Sequence, residues 1–113
     1  MVGDNGAFTG TITMSATGGS RTLRLASPTA GSASANWVIN AGNILQVDSV
    51  PVSFGTLNGA GTITNPGTGN ASISVGSGLF TGVIDNGSGS MAVTKVGPGR
   101  LDLTGTNPYN GGT

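Results

Sequence analysis

The sequence predicts an all-β protein, a segment of a right-handed parallel β-helix (β-solenoid), and three observations predict it. Gly (22), Thr (15), Ser (12) and Asn (10) dominate the 113-residue chain, and all four are mediocre or poor helix formers. Several short runs alternate apolar and polar residues, the period of a half-buried strand. The strand centres are evenly spaced and some segments recur, as in stacked repeats.

In chain order, the alternating runs are Phe8–Met14, Thr22–Leu25, Ala71–Val75, Met91–Val96 and Arg100–Thr104. Between them lie Asn65-Pro66-Gly67, Asn86-Gly87-Ser88-Gly89 and Gly97-Pro98-Gly99, which supply the positive φ values and fixed turns that strand ends need. The centres Ile63, Ile73, Ile84, Val93 and Leu103 follow one another at nearly even steps of about ten. Such spacing suits a sandwich, a barrel or a solenoid, and internal repetition favours the last.

Gly6-Ala7-Phe8-Thr9-Gly10-Thr11-Ile12 resembles Gly78-Leu79-Phe80-Thr81-Gly82-Val83-Ile84, with five of seven positions identical at an offset of 72. A second pair follows each copy, Arg21–Leu25 and Gly99–Leu103, with the leucines offset by 78. The whole chain, 1–113, therefore reads as one β-helical segment, an excerpt of a longer protein, with repeat-like units at about 6–50 and 56–113. In such a solenoid apolar side chains point inward, Thr, Ser and Asn stack outward without charges, and glycines turn the corners.

Gly, Pro and Ser together make up about a third of the chain, a composition that also suits disorder. The Leu, Ile, Val and Phe residues, grouped in alternating runs, argue for a packed core instead. The charged residues are Arg21, Arg24, Lys95, Arg100, Asp4, Asp48, Asp85 and Asp102, too few to build a phosphate-binding surface, so no nucleic-acid partner is expected. With neither His nor Cys, the usual ligands of zinc and iron–sulfur centres, disulfides and imidazole catalysis are missing, and no cofactor is expected. Met1–Gly6 has no signal-peptide character, so export would depend on a signal outside this segment.

Residues 78–113 carry a denser pattern: Phe80, Gly82 and Ile84, then Gly87 and Gly89, then Lys95, Gly97, Gly99, Leu101 and Leu103, and finally Gly105, Asn107, Tyr109, Gly111, Gly112 and Thr113. This stretch closely resembles the autotransporter-associated β-strand repeat, also called the passenger-associated transport repeat. It departs from the family's pattern at Met91 (usually Leu), Arg100 (usually Thr) and Pro108 (usually Thr). Leu57–Asn65 looks like the strand that often precedes the repeat. The resemblance implies a β-helical passenger region, secreted to the surface of a Gram-negative bacterium through a C-terminal outer-membrane β-barrel translocator, with the repeat assisting secretion and folding. Its partners would be neighbouring β-helix rungs and that barrel, both outside this chain.

The candidate chemistry is sparse. Asp85 and Asp102 could sit on neighbouring rungs as a pair of acids of the kind β-helix polysaccharide enzymes use. However, Asp85 precedes an Asn-Gly turn, and Asp102 alternates with Leu101 and Leu103, so both read as structural and no enzyme is expected. Gly87–Ala92 fits a loose GxGxxA pattern, but no helix follows it, and the Asn70-Ala71-Ser72 and Asn86-Gly87-Ser88 sequons are unremarkable in a chain rich in Asn and Ser. Trp37, Tyr109 and Phe8, Phe54 and Phe80 either present a sugar-stacking surface or, the favoured reading, put the phenylalanines in the core and Tyr109 on the Pro108 corner. Arg24 and Lys95 are expected to face solvent and discourage edge pairing.

The leading expectation is a structural stalk that assists its own export. The rivals are an adhesive module for a host or matrix glycan or protein, a polysaccharide-acting enzyme, and a fibre domain. Open rungs also predict self-association of the isolated segment.

Overall fold

A computed structural model describes residues 9–14, 21–27 and 30–105. Its strands are β1 (Thr11–Met14), β2 (Thr22–Leu25), β3 (Ser32–Ile39), β4 (Ile44–Val47), β5 (Pro51–Gly59), β6 (Thr62–Thr64), β7 (Asn70–Phe80), β8 (Val83–Ile84), β9 (Ser90–Lys95) and β10 (Leu101–Leu103). All their pairings are parallel. β1, β3, β5 and β7 form one sheet, which ends in β9 and β10 on different stretches of β7, while β2, β4, β6 and β8 form the other. Because β1 to β8 alternate between two parallel sheets, the chain spirals through about four turns of a β-solenoid, the predicted all-β parallel β-helix.

The long strands each serve two walls. In β5 the buried positions step from Val52 and Phe54 to Leu57, and in β3 the register shifts between Ser32 and Asn36. An odd step reverses the face a strand presents, and β3 (Ser32 to Ala35), β5 (Phe54 to Leu57) and β7 (Val75 to Phe80) each contain one in mid-strand. In the next turn the counterpart of β7 is split. Asn70 lies opposite Ser90, a separation of 20, but Gly78 lies opposite Leu101, a separation of 23. The extra length lies around Gly97-Pro98-Gly99, where proline cannot donate to a ladder and so ends β9.

The core is a set of columns running along the solenoid. Leu23, Leu45, Ile63 and Ile84 stack in the second sheet, and Val52, Ile73 and Val93 in the first. Met14, Ile39, Phe80 and Leu103 share a third column with Gly59. Trp37 is fully buried against Phe54, with ring centroids 4.8 Å apart and planes tilted by 51°, a favourable aromatic geometry. Outside, the Asn36 amide donates to Thr11 Oγ1 (3.4 Å) and the Thr56 hydroxyl to Asn36 Oδ1 (2.7 Å), giving a short polar ladder across three turns.

The register corrects two sequence expectations. Ile12 lies in the first sheet and Ile84 in the second, while Leu23 and Leu25 lie in the second and Leu101 and Leu103 in the first. The two sequence copies therefore occupy different walls. The structural step between turns is instead a sequence separation that varies from 18 (Ile44 opposite Thr62) to 25 (Thr11 opposite Asn36) and is 21 across β5–β7 and β6–β8. A half-buried strand ending at a glycine corner reads the same on any wall. Leu57–Asn65, expected as one strand, is divided by a corner at Ala60-Gly61 between β5 and β6.

Candidate functional site

Of the three buried polar side chains among the described residues, Asn43 and Asn65 sit at corners. After β6, Asn65 is fully buried. Its Oδ1 accepts from the backbone N–H groups of Ser49 (3.0 Å) and Gly67 (3.0 Å), and its Nδ2 donates to the carbonyls of Gly69 (2.9 Å) and Ser90 (3.0 Å). One amide thus joins three successive turns and satisfies backbone groups that a corner takes out of the ladder. At the opposite corner the buried Asn43 donates from Nδ2 to Met14 O in the preceding turn and to Asn40 O, both at 3.1 Å. Sequence reasoning sees Asn65-Pro66-Gly67 only as a turn; an asparagine at the end of a short strand, before a glycine-containing loop, is the signal the sequence carries.

One turn on, Asp85 occupies a similar corner. Its Oδ1 accepts from Gly87 N (2.9 Å) and from the Thr64 hydroxyl, while Asn86 Oδ1 accepts from Met91 N (3.0 Å). Gly87 has φ +59°, which an L side chain resists, and a Cβ there would lie 2.0 Å from Asn65 O. Gly89 packs against Gly69 in the same corner, and the segment that follows Gly87 is the strand β9. Asp102 lies in the first sheet, paired with Arg100 (Nε to Oδ1, 2.8 Å), whereas Asp85 ends a strand of the second sheet. The two acids flank different walls: Asp85 is engaged by its own loop and by Thr64 of the preceding turn, and Asp102 by Arg100 beside it.

Lys95 is exposed, and its ammonium folds back onto the carbonyls of Val96 (2.7 Å) and Gly97 (2.9 Å), closing the inserted loop. Arg24 also faces solvent, as expected, paired with Asp48. Of the other motif residues, Phe80, Gly82 and Ile84 are buried, Gly97 and Gly99 lie in the loop, and Leu101 and Leu103 are half-buried opposite Gly78 and Phe80. Gly105 packs beneath the Gly82 corner. Asn107, Tyr109, Gly111, Gly112 and Thr113, like Phe8, fall outside the described residues.

The three aromatics among the described residues settle as core. Trp37, Phe54 and Phe80 are at most 1% exposed, which removes them from any sugar-stacking surface. Of the two sequons, Asn70 accepts from the Ser90 hydroxyl (2.6 Å) and Asn86 is half-buried in its corner.

Fold and corners together define the class: a parallel β-solenoid whose polar side chains chiefly tie turn to turn. No protein-family model, curated protein or solved structure matches the chain.

Proposed function

We propose that this solenoid is a structural stalk segment of an autotransporter passenger, which assists its own secretion and folding at the cell surface as turns stack outside the cell. The carrying observation is that Asn65 ties its own corner to both neighbouring turns and Asn43 ties its corner to the turn before, so at these corners one turn completes the hydrogen bonding of the next. Such an arrangement suits folding that advances turn by turn onto an existing template, with turns of different length accommodated by loops such as Gly97-Pro98-Gly99 and by the register shift within β3. The motif residues of 78–113 supply the link to export. The reading involves no catalytic step.

The test is surface display in a Gram-negative host of a passenger carrying this segment, with and without residues 78–113. Surface exposure is read by protease accessibility of intact cells. The reading expects deletion to lower exposure at unchanged synthesis. Export indifferent to the deletion would overturn the secretory role.

A further inference from the structure

A glycine that follows an asparagine leaves its own nitrogen unhindered for attack on the asparagine side-chain amide. The described residues hold two such pairs, Asn58-Gly59 and Asn86-Gly87, and the solenoid places them in different surroundings. Asn86-Gly87 lies in the corner after β8, outside any strand, with Asn86 half-buried and Gly87 exposed at φ +59°. Gly87 N donates to Asp85 Oδ1 (2.9 Å), so a carboxylate already holds the proton that a nucleophilic nitrogen must lose. The Thr64 hydroxyl donates to the same oxygen and fixes the carboxylate in place. Across the amide, Met91 N donates to Asn86 Oδ1 (3.0 Å), the atom on which negative charge collects when the amide carbon is attacked. Asn58-Gly59 has the oxygen donor alone. Leu79 N donates to Asn58 Oδ1 (3.1 Å), but Gly59 lies within β5, in register with Ile39 and Phe80, where the ladder pins the peptide.

We propose that this corner is a self-modification site, which converts Asn86 to aspartate and isoaspartate through a cyclic imide with Asp85 as general base. Asp85 takes the proton from Gly87 N as that nitrogen forms a bond to Asn86 Cγ. The carbonyl π electrons move onto Oδ1, facing the Met91 N–H. Collapse restores the carbonyl and breaks the Cγ–Nδ2 bond, and the proton held by Asp85 leaves with Nδ2 as ammonia. Water then adds to either carbonyl of the imide and opens the ring, and no oxidant or reductant takes part. Opening at the main-chain carbonyl gives isoaspartate, whose backbone runs through the former side chain. That lengthens the corner where Ser88 N donates to Asn65 O (2.9 Å) and so loosens one tie between turns. The chemistry is independent of the export role, and either can fail without the other.

The experiment incubates the whole chain at neutral pH, folded and in parallel unfolded in urea. Samples are quenched in acid over time, and the amide-to-acid mass gain is assigned to individual asparagines by peptide fragmentation. In the folded protein Asn86 should convert about tenfold faster than in the unfolded chain, whereas Asn58 should convert more slowly folded than unfolded. Asp85→Asn keeps an oxygen to accept from Gly87 N and Thr64 but removes the base, and should slow Asn86 in the folded protein about tenfold with Asn58 unchanged. An Asn86 that reacts no faster folded than unfolded, or equally fast in folded Asp85→Asn, would overturn the proposal. Should that variant not fold, the folded-to-unfolded ratio of the parent decides by itself.

Discussion

Replacing Asn65 tests whether corner amides hold the turns together. Asn65→Ala removes four hydrogen bonds to backbone groups, Ser49 N, Gly67 N, Gly69 O and Ser90 O, besides a long one from the Ser49 hydroxyl, and leaves those backbone groups beside a small cavity. At about 1 kcal/mol net for each bond, the loss is about 4 kcal/mol. That is a large part of the total stability of a domain, about 5–15 kcal/mol. With a urea slope of about 2 kcal/mol/M, the midpoint should fall by about 2 M. Asn65→Asp separates hydrogen bonding from packing, because it is nearly isosteric. It keeps the two accepted bonds but sets a carboxylate oxygen against the Gly69 and Ser90 carbonyls, so at neutral pH it should cost at least as much as alanine. Urea denaturation followed by circular dichroism gives the midpoints, and amide exchange at Ser49 and Gly67 should accelerate. Midpoints of both variants within about 0.5 M of the parent would refute the reasoning.

Two further predictions concern the backbone. Gly82→Ala places a Cβ 1.8 Å from Gly61 O, so adjacent corners must separate, costing about 3 kcal/mol. Gly42→Ala, at φ +85° but with open space around it, should cost only the left-handed strain of about 1–2 kcal/mol, and thermal melts should rank the two in that order. Deleting Gly97-Pro98-Gly99 removes the difference in register along β7 and should fuse β9 and β10 into one strand like β7, with the fold kept and stability changed by less than about 1 kcal/mol. Loss of the strand circular dichroism signal on deletion would show that the loop itself is needed.

Much of the fold is legible in the sequence because it depends on local pattern. Thr22–Leu25 reads at its observed bounds, and the runs at 71–75, 91–96 and 100–104 coincide with β7, β9 and β10 to within a residue or two, apart from the extension of β7 to Asn70–Phe80. β3, β4 and β5 carry no such mark. In β3 the inward positions begin with Ser32 and Ala35, small residues that show no hydrophobic period, and the mid-strand bend in β5 breaks the alternation at Gly55. Asp85, Gly87 and Gly97 read as turn formers, a role the Asp85–Gly87 hydrogen bond and the positive φ of both glycines support, while Asp102 reads as a strand position and lies in β10.

Sequence by itself determined that this chain is all-β, built from half-buried strands and glycine corners, with a core and almost no charge. Those properties follow from composition and from a period of two, both local. Only the tertiary structure decided which strands share a wall, that one turn closes where Pro51 comes to face Ser72, and that Trp37 is inside. The same strand-and-corner pattern fits any wall of a solenoid; stacking between turns chooses among them, through contacts between residues well separated along the chain, such as Asn65 with Ser90.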